Sequence, residues 1–129
     1  MNRTNIQEES YSKLVSTAVR LIKRQGFEDI RADLEDFEKP AALSQQGSDV
    51  VYIPDITAYG KLGKCYFEIV SKEAKNKEET ISKWKLLSRL AQMKNGTFFL
   101  LVPRGMMRFA VQIIELHNIK ADVLKLQIV

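Results

Sequence analysis

The chain has 129 residues, of which 45% are hydrophobic and 28% charged, and it contains one cysteine. These values are typical of one globular domain that buries its own core, and they exclude an intrachain disulfide and a zinc site built from cysteines. The net charge of +4 suits a polyanionic partner. Because no apolar run approaches the ~20 residues of a membrane helix and residues 1–5 lack a hydrophobic signal core, we expect a cytoplasmic protein without membrane contact.

The first half of the chain is predicted to form one helix and three strands. In chain order the predicted elements are a helix over 7–25, a first strand over 27–34, a surface loop over 39–47, a second strand over 50–56, a turn over 59–64 and a third strand over 65–71. Gly26 is a helix-stop signal, and Pro54 indicates either an edge strand or a bend in the second strand.

The second half alternates between helices and strands. Its predicted elements are a helix over 77–94, a strand over 97–102, a helix over 106–116 and a strand over 121–129. The first three strands can form an antiparallel meander, which the strand–helix–strand crossover extends into a mixed sheet. The sequence therefore predicts an α/β fold, with a mixed sheet flanked by helices in a single domain over 1–129.

Two carboxylates stand on successive β-like segments. Asp55 follows Pro54, and Glu68 interrupts the otherwise apolar run 65–70. Twelve residues separate the two acids, which is enough for a hairpin. A glutamate inside a buried strand is costly unless it is paired or bound to metal. We therefore expect Asp55 and Glu68 to share Mg²⁺ or Mn²⁺, since such ions prefer hard oxygen ligands and activate water for phosphodiester chemistry.

The chain resembles the PD-(D/E)XK nuclease superfamily of restriction endonucleases and archaeal Holliday-junction resolvases. The resemblance lies in the order of its elements, with Pro54-Asp55 in the second strand and Glu68 inside the third. The resemblance implies a restriction-endonuclease-like fold, with an α-β-β-β-α-β core followed by a C-terminal helix and strand. It also implies magnesium-dependent cleavage of DNA, with Asp55 and Glu68 as metal ligands. In that superfamily a lysine two residues after the glutamate positions or activates the attacking water. Here Val70 occupies that position.

Two lysines are candidates for the missing catalytic cation. Lys72 has the same strand parity as Glu68 and stands two positions beyond Val70, about 6–7 Å further along the strand. Lys83 lies on the apolar face of the predicted 77–94 helix, near its N-terminal end. That position is close to the end of the Glu68 strand, although a lysine at the rim of a core can also extend its amine to solvent without a catalytic role.

The lysine-rich segment 61–94 carries the predicted nucleic-acid-binding surface. We expect Lys61, Lys64 and Lys75 to contact the backbone phosphates of DNA, because such contacts give affinity without sequence specificity. A solvated helix face is the simpler explanation for part of this charge.

Three functions remain open from the sequence. The first is a metal-dependent DNA endonuclease. The second is a catalytically degenerate nuclease-fold protein that binds nucleic acid or a protein partner without cleavage, an interpretation that Val70 favours. The third is an unrelated α/β interaction domain, in which Pro54-Asp55 is a turn and Glu68 a paired core acid. A domain this small has little room for a specificity module, which suits a homodimer or a subunit of a larger system.

Overall fold

The computed structural model describes residues 5–71 and 77–127, which form three helices and seven strands. The helices are α1 (Asn5–Arg24), α2 (Lys77–Met93) and α3 (Met107–Leu116). The strands are β1 (Glu28–Ala32), β2 (Leu43–Ser44), β3 (Val51–Tyr52), β4 (Ile56–Tyr59), β5 (Lys64–Ile69), β6 (Phe98–Pro103) and β7 (Asp122–Leu126). None of these helices is long and apolar enough to cross a bilayer.

Five of the strands form one mixed sheet in the order β1-β4-β5-β6-β7. The pairs β1–β4 and β4–β5 are antiparallel, whereas β5–β6 and β6–β7 are parallel. Each parallel pair is connected by a helix, α2 or α3, because parallel strands need a long crossover. The predicted α/β class, the antiparallel meander and its parallel extension are therefore confirmed.

The predicted second strand, 50–56, is wrong as a single element. Its first part forms β3, which pairs with β2 in a separate two-stranded ribbon. The strand of the main sheet begins only at Ile56, after Pro54 and Asp55. Proline lacks the N–H that a ladder needs, so the chain changes sheets at Pro54. The predicted loop over 39–47 likewise contains the short strand β2.

The three described helices end with the same backbone motif. Gly26, Asn95 and Asn118 each follow a helix with positive φ. After α2, the N–H of Gly96 donates to the carbonyl of Ala91 at 2.8 Å, and equivalent bonds close α1 and α3. This Schellman arrangement satisfies carbonyls that the helix leaves unpaired, which explains why the predicted helix ends are nearly correct.

Side chains of the sheet divide between two hydrophobic clusters. Phe67 and Ile69 point toward α1, and the alternate residues Tyr66 and Val70 point toward α2 and α3. Glu68 shares the parity of Tyr66 and Val70, so it lies on the α2–α3 face. The buried residues of α3 belong to this second cluster, which accounts for the apolar pattern of that helix.

The β4–β5 turn packs closely against the end of α2. A Cβ atom on Gly96 would lie 1.6 Å from the carbonyl oxygen of Lys64, and one on Gly63 would lie 1.9 Å from that of Lys94. The Tyr66 N–H also donates to the Thr97 carbonyl at 3.1 Å. These backbone contacts hold the hairpin and the crossover helix in one relative position.

Candidate active site

The antiparallel pairing of β4 and β5 brings the two predicted acids together. Ile56 pairs with Phe67, so Asp55 stands opposite Glu68 one residue beyond the ladder. The Asp55 N–H donates to Glu68 Oε2 at 2.7 Å. Both acids therefore lie at the open end of the β4–β5 hairpin, as the sequence predicts.

Two further hydrogen bonds orient the Asp55 carboxylate. The Ile69 N–H donates to Asp55 Oδ2 at 2.8 Å. The hydroxyl of Tyr11, on α1, donates to Asp55 Oδ1. Because one donor comes from the neighbouring strand and the other from a helix, the carboxylate is held between two elements.

Lys83 completes the polar cluster from the second turn of α2. Its Nζ lies 2.8 Å from Glu68 Oε1, and the side chains of Lys83 and Glu68 are 22% and 6% exposed. A cavity of about 110 Å³ adjoins the pair; Trp84, Thr80 and Phe109 are among its lining residues. The site thus combines two carboxylates and an ammonium beside a small opening to solvent.

The charges in this cluster do not balance. Burial raises the pKa of Glu68 to about 8, Asp55 adds to that rise, and Lys83 opposes it. Burial lowers the pKa of Lys83, but the charges of Glu68 and Asp55 outweigh burial and the net shift is upward. The upward shift of the Lys83 pKa assumes charged acids, whereas the upward shift of the Glu68 pKa favours its neutral form. Burial is the largest cause of the Glu68 shift, so near neutral pH Lys83 is charged and Glu68 retains its proton more readily than an exposed glutamate.

The donor set fits a hydrated magnesium-type ion. Such an ion binds through one or two carboxylates and completes its shell with water or substrate phosphate. Among residues 10–71 and 77–127, whose side chains the structure describes, no third acidic, histidine or cysteine side chain joins Asp55 and Glu68 in a metal-binding group. The cavity has room for several waters at about 30 Å³ each. Asp55 Oδ1 and Glu68 Oε1 already accept bonds from Tyr11 and Lys83, so an ion would use their remaining lone pairs or displace these donors.

Val70, at the position of the superfamily lysine, belongs to the hydrophobic core. It is 1% exposed and lies in the cluster with Trp84 and Leu87. An unpaired ammonium at that depth would be costly. The cation beside Glu68 comes instead from α2, at the position that the apolar face of the helix predicts for Lys83.

Of the other predicted lysines, Lys61 and Lys64 are described by the structure, and they lie away from this site. Lys72 and Lys75 lie outside the residues that the structure describes. Lys61 and Lys64 lie at the turn of the hairpin, whereas Asp55 and Glu68 lie at its open end. Four residues of strand separate Lys64 from Glu68, about 13 Å. Lys64 Nζ also lies 5.6 Å from the centre of the Tyr66 ring, and burial followed by the charge of Lys94 lowers its pKa.

Tyr11 is the site residue that sequence analysis missed. It belongs to the apolar stripe of α1 and stands 44 residues before Asp55. Its spacing predicts core packing and nothing about Asp55. The one available signal is chemical, because the hydroxyl of a partly buried tyrosine usually has a hydrogen-bond partner.

The chain was compared with protein-family models, with curated proteins and with solved structures, and none of them matches it. The interpretation of this site therefore depends on its own geometry.

Proposed function

We propose that the protein is a metal-dependent endonuclease that hydrolyses phosphodiester bonds in DNA, built on a restriction-endonuclease-like fold. The observation that carries this proposal is the convergence of Asp55 and Glu68 at one end of adjacent strands, with Lys83 Nζ 2.8 Å from Glu68. The three groups come from a hairpin and a following helix, and they adjoin a cavity. The element order and the mixed sheet support the same proposal.

Each residue of the cluster has a separate role in this proposal. Asp55 and Glu68 would hold Mg²⁺ or Mn²⁺, which supplies Lewis-acid polarisation of the phosphate and a more acidic water. The Lys83 ammonium faces the same cavity and offsets negative charge that develops on the phosphate. Tyr11 is a positioning residue, since its hydroxyl orients the Asp55 carboxylate.

Cleavage of supercoiled and duplex DNA in Mg²⁺ or Mn²⁺ tests the proposal. We expect the wild type to cleave, and Asp55→Asn and Lys83→Met to lose cleavage by a factor of about 10² or more. Lys85→Met is the matched control, because Lys85 is an exposed lysine on the same helix. Equal activity in wild type and Asp55→Asn would indicate a contaminating nuclease and would refute the assignment.

Metal binding can be measured apart from cleavage. A divalent ion that binds only the folded protein raises the melting temperature by mass action. We expect Mn²⁺ to stabilise the wild type, and Asp55→Asn to lose that response. A wild-type melting temperature that does not change at millimolar Mn²⁺ would count against a metal site.

A second candidate function is binding to nucleic acid or to a protein partner without cleavage. Two observations favour it: Val70 stands where the superfamily has lysine, and each oxygen of Asp55 and Glu68 already accepts a hydrogen bond or an ion pair from the protein. A cluster of this kind can serve as a structural network alone. This candidate predicts salt-sensitive DNA binding with no cleavage in any divalent metal.

A further inference from the structure

A second opening lies along the same edge of the sheet as the candidate active site. It is a groove of about 740 Å³ at the carboxyl ends of β6 and β7, beside the start of α3. Its charged lining residues are Arg104 and Lys125, and none of the described lining residues is acidic. Val102, Met107 and Leu126 are apolar residues among its lining.

The strand register relates this groove to Glu68. Glu68 pairs with Leu100, and two positions further along β6, Val102 pairs with Lys125 on β7. Leu126 packs in the α1 cluster, so its neighbour Lys125 lies on the opposite face, the one that carries Glu68. Two strand spacings, about 10 Å, separate β5 from β7.

The start of α3 contributes to both openings. Phe109 lines the cavity beside Glu68 and Lys83, and Met107 lines the groove. Arg104 stands in the turn that leads from β6 into α3. A ligand that extends past the start of α3 would contact both openings.

We propose that the groove binds the backbone phosphates of a DNA strand whose reacting phosphate lies at Glu68 and Lys83. This inference rests on the proposed nuclease function and identifies the surface along which its substrate runs. The planar guanidinium of Arg104 suits two-point contact with phosphate, and Lys125 adds a second positive charge. Two strand spacings and two residues along the strands place Lys125 about 12 Å from Glu68, a distance that a DNA strand of a few nucleotides spans.

The groove is a better phosphate site than the hairpin turn that carries Lys61 and Lys64. Those two lysines lie at the end of the hairpin away from Asp55 and Glu68. Lys64 is also packed over the rings of Tyr59 and Tyr66. Phosphate contacts at the turn would therefore not guide a strand to the acids.

Fluorescence anisotropy with a labelled DNA duplex in EDTA tests the proposal, because cleavage is then blocked. We expect the double variant Arg104→Gln, Lys125→Gln to bind more weakly and to make the slope of log K against log salt less negative by about 1.8, as loss of two phosphate contacts predicts. The matched control is Lys61→Gln, Lys94→Gln, which removes two exposed cations near the hairpin turn. We expect its slope to stay close to that of the wild type.

Three results would overturn the inference. If the wild type binds DNA and the groove variant keeps the same slope, the groove does not bind the DNA backbone, while the nuclease proposal stands. Equal changes in both double variants would show a general charge effect with no special role for the groove. If the wild type does not bind DNA at all, both the nuclease proposal and the inference about the groove are refuted. Melting curves of both double variants check that they are folded, and single Gln variants at the two groove positions, each with a slope change of about 0.9, provide a second measurement.

Discussion

Replacement of Lys83 by methionine tests the electrostatics of the cluster through stability alone. Methionine preserves most of the length of the side chain and removes its charge. In the wild type the ammonium lies 2.8 Å from Glu68 Oε1, and the Glu68 side chain is only 6% exposed. The variant therefore leaves the buried Glu68 carboxyl group beside Asp55 without its cation.

The expected cost depends on pH, and its sign follows from the raised pKa of Glu68. A carboxyl that binds its proton more tightly when folded contributes stability below its usual pKa of 4.5, and that contribution is lost as the pH rises through about 8. Lys83 opposes the shift, so its removal raises the Glu68 pKa further. The total stability lost between about pH 6 and about pH 9 should thus be larger in the variant, because its fall continues above the wild-type pKa of Glu68.

The magnitude can be estimated at both ends of that range. Loss of one partner from a buried ion pair costs 3–5 kcal/mol, and we take about 3 kcal/mol near pH 9 because Lys83 is 22% exposed. Near pH 6 Glu68 is protonated, and the loss is that of one hydrogen bond, about 1 kcal/mol. A 129-residue domain has an unfolding entropy of about 0.27 kcal/mol per kelvin, so the melting temperature should fall by about 11 °C and 4 °C, respectively.

Urea and thermal unfolding, followed by circular dichroism, provide the measurement. A double-mutant cycle with Glu68→Gln is the control, because Lys83→Met should cost little in that background and should lose its dependence on pH. The reasoning is refuted if Lys83→Met has the same cost near pH 6 and pH 9. It is also refuted if the cost is equally large when Glu68 is already glutamine.

Four substitutions away from the cluster test the packing and the backbone. Tyr66→Phe should leave stability unchanged or raise it by up to about 1 kcal/mol, since the buried hydroxyl has no partner among the described residues; a larger loss in urea would contradict this. Gly96→Ala should lower the free energy of unfolding by at least about 2 kcal/mol, because its Cβ would meet the Lys64 carbonyl. Gly105→Ala, with φ of +88° but open space around it, should lower it by about 1 kcal/mol. A larger loss for Gly105→Ala than for Gly96→Ala would contradict this prediction. Asn118→Ala should lower the melting temperature by an amount equivalent to about 1 kcal/mol, because φ there is 53°, and an unchanged melt would disprove the strain.

Most of the secondary structure could be predicted because its signals are local. The apolar spacing of α1 and the Asn95-Gly96 stop of α2 operate within one or two helical turns. The main error concerns segment 50–56, where one β-rich run serves two sheets. Composition alone cannot assign strands to different sheets on either side of Pro54, since that choice depends on which partner strand each half meets.

For the candidate site, the sequence by itself determined the convergence of Asp55 and Glu68, because a hairpin of that length brings both residues to one end of adjacent strands. It also indicated Lys83 through the apolar face of its helix. Only the tertiary structure decided that Lys83 contacts Glu68 and that Tyr11 orients Asp55. Those contacts depend on how α1 and α2 pack against the sheet, and the position of a helix over a sheet is set by the whole core, which local periodicity does not encode.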